Sequence, residues 1–488
     1  MKKNILAIVA LAAMVFASCD SMLDVEPQGS SVSDEQLQEL IKKNADQVLA
    51  PMMAGALKYM HNGTRRSDAS DAQSFMVWNL GMDLQGNDML LSNTNNWFGD
   101  EYMFVNLREQ TSGYTADKWY NYYKIIYKSN QILDLIPADA TGNALSYKAQ
   151  CLTYRAMAYY YLMSFYQDNY MTGGKDKAGV PLYLSTYDEV QGRASSVKVY
   201  EQIIKDLEEA VLLFNQIECD PLADVTDIDQ TVANMLLARA AVTCGEYAKA
   251  ISAADAVIKA GYSLMNEDEY TTTGFLDVAL PETIWGYNWD DATSIGNRSF
   301  ASWSSLTAID EGNNKGVYLV INDELYNQIP DTDYRKDNFL AAAVGKYPAY
   351  ASTKFNVPTI EADEIYMRLS EAYLLKAEAE ARNQQATAAQ QTLFDLVSKR
   401  DSGYTKSTKT GDALLKEIFL QSRIELWGEG HEWFTNKRFN VGVNRKSSGN
   451  HTHKVQIAAG SKDFTYQIPL SIEINSNPNI NEGDQNPL

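Results

Sequence analysis

Apolar side chains recur at helical spacing along most of this chain, and that periodicity restricts the fold more than any other feature. In residues 116–136 they recur every three or four positions until Pro137 stops the pattern. The members of this predicted core face are Trp119, Tyr123, Ile126, Tyr127, Asn130, Leu133 and Ile136. Comparable patterns predict helices over residues 145–166, 197–214, 231–244, 247–260, 365–382, 386–399, 414–427 and 432–439. We therefore expect a mainly helical, all-α fold.

Four of these helical segments form two pairs. Gly245 separates residues 231–244 from residues 247–260, with Gly261 expected to end the second helix, and residues 365–382 and 386–399 repeat the arrangement. Small and aromatic residues stand where the second helix of a tetratricopeptide unit places them, namely Tyr247, Ala250, Ala254 and Val257. The distance between pairs departs from a regular period of about 34 residues, so generic helical hairpins remain an alternative.

Two long regions break the helical pattern. Residues 68–108 and 264–358 are rich in Gly, Asn, Thr, Asp and aromatic residues and have no sustained helical face. They are too long for simple connections, so we expect functional loops or a subdomain. Near the C-terminus, residues 463–468 read as a short strand.

The N-terminus has the pattern of an export signal. Lys2 and Lys3 precede an apolar run from Ile5 to Phe16, which is shorter than the roughly 20 residues that span a bilayer. Small residues then lead directly to Cys19, as in a bacterial lipobox. We expect a signal peptide over residues 1–18, a lipidated and flexible tether over residues 19–33, and one helical domain over residues 34–488. An ordinary signal peptide with an incidental cysteine is the alternative.

Charge and cysteine content exclude several classes of function. The chain has 42 Lys and Arg against 63 Asp and Glu, a net charge of −21. This acidity disfavours nucleic acids and anionic lipid surfaces, which bind clustered basic residues. We therefore expect membrane contact only through the lipid anchor. Beyond Cys19 three cysteines remain, an odd number that cannot form a complete disulfide framework.

The known catalytic and metal-binding motifs are missing or incomplete. His431 and Glu432 begin a zinc-protease pattern, but Thr435 occupies the position of the second histidine ligand. His451 and His453 lie two residues apart in a polar segment, which favours a solvated loop over a metal site. A glycosidase could use any two carboxylates, and the sequence nominates no pair. We expect neither cofactor nor metal, and no enzymatic activity.

Several segments, in order along nearly the whole chain, resemble the SusD/RagB family of outer-membrane nutrient-binding lipoproteins. The segments are CDSMLDVEPQG, WYNYYKIIYKSNQILDLIP, KAQCLTYRAMAYYYLMSFYQDNY, GVPLY, RASSVKVYEQIIKDLEEAVLLF, IYMRLSEAYLLKAEAEAR, SRIELWGEGHEWFTNKRFN and IPLSIEINSNPNI. Asn130, Arg155, Ala156 and Tyr159 stand at positions typical of the family.

The resemblance implies a tetratricopeptide-like α-solenoid of about four helix pairs, with the long irregular loop regions packed on one face. It also implies a position on the outer face of the outer membrane and a TonB-dependent, SusC-like transporter as partner. The protein would act as a lid over the transporter barrel. Most members bind glycans, and one branch serves peptides.

Aromatic residues in the two irregular regions are the candidate ligand contacts. Sugar rings stack on exposed aromatic faces while amide or carboxylate groups bind their hydroxyls. Two clusters combine these side chains, with one further tryptophan close behind the second. The predicted ligand-binding residues are Asn95, Asn96, Trp97, Phe98, Tyr287, Trp289, Asp290 and Trp303. Each aromatic could instead pack the loops onto the scaffold, and for Trp285 we favour packing.

Four functions remain open from the residues. A peptide importer would also use aromatic residues, a degrading enzyme would turn its ligand over, and a pure adaptor would present an apolar groove. We expect an oligosaccharide-binding protein that delivers its ligand to a TonB-dependent transporter, with a peptide-binding protein as the alternative.

Overall fold

The computed structural model describes residues 33–61, 74–94, 98–105, 108–220, 222–273, 275–289, 299–308 and 316–487. The helices are α1 Asp34–Lys43, α2 Ala45–His61, α3 Phe75–Asp83, α4 Gly99–Met103, α5 Gly113–Leu135, α6 Asn143–Tyr166, α7 Ser196–Gln216, α8 Gln230–Cys244, α9 Tyr247–Ile258, α10 Glu267–Thr272, α11 Phe300–Ser304, α12 Asp323–Tyr326, α13 Leu369–Arg382, α14 Ala386–Val397, α15 Gly411–Glu425 and α16 Glu432–Phe439. The strands are β1 Met89–Leu91, β2 Ala178–Pro181, β3 Arg193–Ser195, β4 Thr283–Tyr287, β5 Leu319–Ile321, β6 Glu364–Arg368, β7 Val443–Asn444 and β8 Gln456–Ile457.

The helices pack in sequence order, which confirms the predicted all-α, tetratricopeptide-like solenoid. From α5 to α9 each helix packs against the next, and α9 then packs against α13, which contacts α14 and α15. Gly245 ends α8 in the left-handed conformation at φ +86°, so that α9 can turn back at Tyr247. A second tight turn joins α13 to α14, with Gln384 at φ +62°.

Three local predictions are wrong. The predicted helix over residues 365–382 begins only at Leu369, because Glu364–Arg368 is strand β6. The loop region 68–108 contains helix α3, whose nine residues are all buried, so that no polar face marks its period. Residues 463–468 form no strand: a 3₁₀ turn spans Lys462–Phe464, and the chain that follows bonds to residues of α6 and of the α4–α5 connection.

The two irregular regions form one layer, although more than 200 residues separate them in places. Strand β1 pairs antiparallel with β5, with Leu90 opposite Val320. Strand β4 pairs antiparallel with β6, with Tyr287 opposite Glu364. We call this the loop layer: β1, β4, β5, β6, α11 and the segments between them.

Much of the tyrosine content lies in the core. The rings of Tyr122 on α5 and Tyr161 on α6 stack with centroids 5.4 Å apart and planes 7° apart. Trp285 packs edge-on against Tyr366 at 5.0 Å, which confirms the predicted packing role of this tryptophan. Cys151 on α6 is buried as well.

A buried network of charges joins the C-terminal helices to the loop layer. Glu425, at the end of α15, accepts hydrogen bonds from Arg335 at 3.0 Å and from Arg368 at 2.7 Å, and forms an ion pair with Arg400. Arg368 and Arg400 also contact Glu282. Such a network costs desolvation energy, but it fixes the mutual position of segments far apart in sequence.

In the described part of the chain, no helix combines the length and the apolar character needed to cross a membrane.

Candidate functional site

Tyr287 and Trp289 form an aromatic pair where strand β4 leaves the core. Their ring centroids are 4.6 Å apart and the planes cross at 76°. Tyr287 is half-buried, whereas Trp289 keeps 8 % of its surface accessible. Tyr287 is therefore the more accessible ring of a pair at the rim of the loop layer, immediately before Asp290, which lies outside the described residues.

The carboxyl group of Glu364 lies beside this pair. It accepts a hydrogen bond from the Ser74 hydroxyl at 2.9 Å, and the Trp289 side chain and the backbone N–H of Phe300 act on it electrostatically. Burial raises the pKa of Glu364 to about 7. The start of α3, the start of α11 and Trp289 thus meet at one carboxyl group of strand β6, which makes Glu364 a positioning residue that the sequence did not mark.

Phe98 and Trp303 form a second aromatic pair in the same layer. The ring centroids are 4.9 Å apart with planes at 87°, and the two side chains are 2 % and 1 % accessible. Both therefore lie beneath the surface, where they support the chain on either side of them. Asn95, Asn96 and Trp97, which directly precede Phe98, lie outside the described residues.

The four predicted site residues that the structure describes lie in one layer but at two depths. Helix α11 links the two clusters, because Trp303 lies on it and its first residue, Phe300, neighbours the same Glu364 carboxyl group as Trp289. Tyr287 and Trp289 stand at the rim, and Phe98 and Trp303 stand beneath. Direct stacking on a ligand by the latter two would require the layer to open.

A second concavity, absent from the sequence predictions, lies on the outer side of α5. It encloses about 390 Å³, within the range of small-molecule sites. Its aromatic lining comprises Trp119, Tyr120, Tyr123, Tyr127 and Tyr183, and its polar lining comprises Lys124, Asn130, Ser185, Thr186, Asp188 and Glu473. We call it the α5 pocket.

The α5 pocket corrects the predicted core face of this helix. Trp119 and Ile126 are buried, as expected, but Tyr127 is 46 % exposed. The sequence does carry a signal of this exposure, since the five aromatic residues within positions 119–127 exceed what one buried stripe can hold. Helical periodicity alone did not show which of them faced solvent.

The histidines and carboxylates of the described residues form no metal-binding cluster. No group of three or more His, Cys, Asp or Glu within the described ranges could hold a metal ion. His451 is buried, with Nε2 2.8 Å from the carbonyl of Asn87 and Nδ1 2.9 Å from the Tyr102 hydroxyl. Burial lowers the pKa of His431 to about 4. Both side chains serve the scaffold.

Known proteins share the sequence pattern of this chain. A SusD-like family model, described as starch-binding and associating with the outer membrane, matches residues 22–239, and the SusD family model matches residues 278–488. The chain belongs to the SusD family. The two matches together cover the N-terminal and the C-terminal parts of the chain.

Individual SusD relatives are distant but cover nearly the whole chain. SusD-like protein P38 of Formosa agariphila is 23 % identical over 90 % of this chain and 92 % of its own length. A SusD-like carbohydrate-binding protein of Bacteroides vulgatus superposes with a TM-score of 0.78 at 24 % identity, covering 90 % of this chain and 98 % of its own. Surface glycan-binding protein A of Bacteroides thetaiotaomicron, solved with laminarihexaose, gives a TM-score of 0.64 at 16 % identity, covering 90 % and 99 %. At these identities the structural likeness establishes the fold.

Proposed function

We propose that this protein is a cell-surface glycan-binding lipoprotein that captures oligosaccharides and delivers them to a TonB-dependent, SusC-like transporter of the outer membrane. The observation that carries the proposal is the Tyr287–Trp289 pair, which lies beside Glu364 at the rim of the loop layer. Preorganised aromatic rings beside amide and carboxylate side chains suit a polyhydroxylated ring. Trp97, Asn95, Asn96 and Asp290 would complete this site, with Phe98 and Trp303 beneath it.

Family membership supports the choice of ligand. Two SusD-like relatives are named for carbohydrate or glycan binding, and one of them was solved with a β-glucan hexamer. Nothing observed favours the peptide alternative. The buried carboxyl groups with raised pKa values, such as Glu364 and Asp83, contact scaffold atoms, which supports a binding role over turnover.

The lipid anchor at Cys19 belongs to the same proposal. On the sequence pattern, residues 19–33 would serve as a tether between the membrane and the domain, whose first helix, α1, has Ser33 as its N-cap. The family model described as associating with the outer membrane supports this location. A Cys19→Ala variant expressed in the native host tests the anchor: the protein should leave the membrane fraction.

Calorimetric titration tests glycan capture. The chain from Asp20 onward would be titrated with laminarihexaose, maltohexaose and mannohexaose, and with a tripeptide and a pentapeptide. Tyr287→Ala and Trp97→Ala should each weaken glycan binding about tenfold or more, whereas Leu212→Ala, an exposed position on α7, should not. Chromatography of the recovered ligand should show no product. Binding to peptides alone, or release of shortened glycan, would contradict the proposal.

A further inference from the structure

The α5 pocket has the architecture of a preformed ligand site. One wall is a row of rings on the helix, with Trp119 and Tyr123 in contact at 5.0 Å between centroids. The Tyr123 hydroxyl donates to the carbonyl of Pro181 at 2.8 Å, and Trp119 Nε1 donates to Glu473 at 3.1 Å. These rings are therefore held in place without a ligand.

The opposite wall, residues 183–188, is held by buried polar groups. Arg155 forms a two-bonded ion pair with Asp206 at 2.8 Å and also donates to the carbonyl of Leu184 at 2.9 Å. Asn130 donates to the carbonyl of Tyr183 at 3.1 Å. Arg155 and Asn130 are thus positioning residues for this wall.

Two charged groups at the pocket retain unused bonding capacity. Lys124 Nζ lies 5.2 Å and 5.8 Å from the ring centres of Tyr120 and Tyr127. Across residues 33–487, as far as they are described, it has neither a hydrogen-bonded oxygen nor an ion-pair partner. Asp188 uses one carboxylate oxygen for the N–H groups of Leu184 and Ser185, at 2.6 Å and 3.0 Å, which leaves the other oxygen as an acceptor.

The backbone of the opposite wall argues against a peptide as the occupant. The N–H groups of residues 183–186 and the carbonyls of Tyr183 and Leu184 already have partners within the chain. A peptide bound in an extended conformation needs free backbone groups of this kind. An anionic ligand would meet the carboxylates of Asp188 and Glu473 against the single lysine, so a neutral ligand is favoured.

We propose that the α5 pocket is a second sugar site, which binds a neutral pyranose ring by stacking on Tyr127 while Lys124 and Asp188 bind its hydroxyls. The proposal rests on the proposed glycan-binding function and adds a site separate from the loop layer. A long oligosaccharide, or a second one, would then engage the solenoid as well as the loops.

The test uses the chain from Asp20 onward and titrates laminarihexaose, maltohexaose and mannohexaose by calorimetry. Lys124 lines the pocket, and the control lysine is Lys259 on α9, whose side chain is largely exposed and does not line it. Leu212, 56 % exposed on α7 and outside the lining, is the control for Tyr127. Thermal unfolding of each variant checks that the fold persists.

The expected result is two sites per chain. Tyr127→Ala should weaken one of them about tenfold or more and Lys124→Met about threefold or more, while Lys259→Met and Leu212→Ala should leave both unchanged. The Tyr287→Ala loop variant should lose only the other site. Three outcomes would overturn the α5 pocket as a sugar site and leave glycan capture standing. They are two sites that are both insensitive to Tyr127→Ala, a single site that is lost only in the loop variant, and losses in the control variants equal to those in the pocket variants. Failure of the unmodified chain to bind any of the sugars would overturn the proposed function itself.

Discussion

The hydroxyl of Ser74 donates a hydrogen bond of 2.9 Å to the buried carboxyl group of Glu364, 290 positions further along the chain. Ser74 is the N-cap of α3, and the Trp289 side chain and the N–H of Phe300, the first residue of α11, neighbour the same carboxyl group. Parts of the loop layer that are distant in sequence therefore meet at one side chain of strand β6, which is itself continuous with α13 of the solenoid.

Glu364→Gln should flatten the pH dependence of stability. Burial raises the pKa of Glu364 to about 7 in the folded state, so the native protein keeps a proton that the unfolded chain releases above its ordinary pKa of 4.5. The free energy of unfolding should thus fall as the pH rises from 4.5 to 7, by on the order of 3 kcal/mol from this group.

Urea unfolding at several pH values measures this difference. Burial also raises the pKa values of Asp83 and Asp229 to about 7, so both proteins lose stability over this pH interval. The quantity to compare is therefore the slope of the free energy of unfolding against pH in the unmodified protein and in the Gln variant. The Gln variant should lose the smaller amount of stability over this interval. Parallel slopes would show that Glu364 is ionised in the folded state.

Glu425→Gln should destabilise the fold by about 3–5 kcal/mol, because it leaves Arg335, Arg368 and Arg400 without their shared buried partner. Chemical denaturation measures the loss. Lys259→Met is the control, since Lys259 is largely exposed and forms only a pair with Asp255 on α9. A loss no larger than that of the control would mean that the network contributes little.

Gly86→Ala and Gly55→Ala should have opposite effects. A Cβ on Gly86 would lie 2.0 Å from the carboxyl carbon of Glu432, which is buried and bonded to the N–H groups of Asn87 and Asp88. We expect a loss of about 2 kcal/mol or more. Among the described residues, Gly55 within α2 has no neighbour within 4 Å of the added atom, so alanine should stabilise the helix by up to about 1 kcal/mol. Similar melting temperatures for the two variants would contradict the packing of Glu432 over Gly86.

Cys151 should resist alkylation in the native protein. It is fully buried on α6 and burial raises the pKa of its thiol, whereas Cys219 is partly exposed. Iodoacetamide should modify Cys219 at least about 100-fold faster, because Cys151 reacts only when the core opens. Mass spectrometry of peptic fragments measures both rates. Equal rates would indicate that α6 opens readily.

The sequence predicted the scaffold because a helix with one apolar face can be recognised from its local pattern of apolar residues. Helix α16 was predicted with both ends correct, and the turn at Gly245 follows from the conformational freedom of glycine. The resemblance to SusD proteins was likewise readable, since it depends on segments in order. Helix α3 was not predicted because it is buried on every side. Strand β6 was not predicted because its apolar residues continue directly into those of α13.

The functional surfaces depend on tertiary structure for a physical reason: exposure is decided by what packs against a residue from elsewhere in the chain. Trp285 and Trp289 lie four residues apart in similar sequence, yet one lies between Tyr154 and Tyr366 in the core and the other stands at the rim. Tyr123 and Tyr127 share a helix face, yet only the former is covered by the chain at Pro181. The sequence by itself determined the solenoid, the export signal pattern and the family, whereas contacts such as Glu364 with Trp289, between residues 75 positions apart, decided where a ligand can bind.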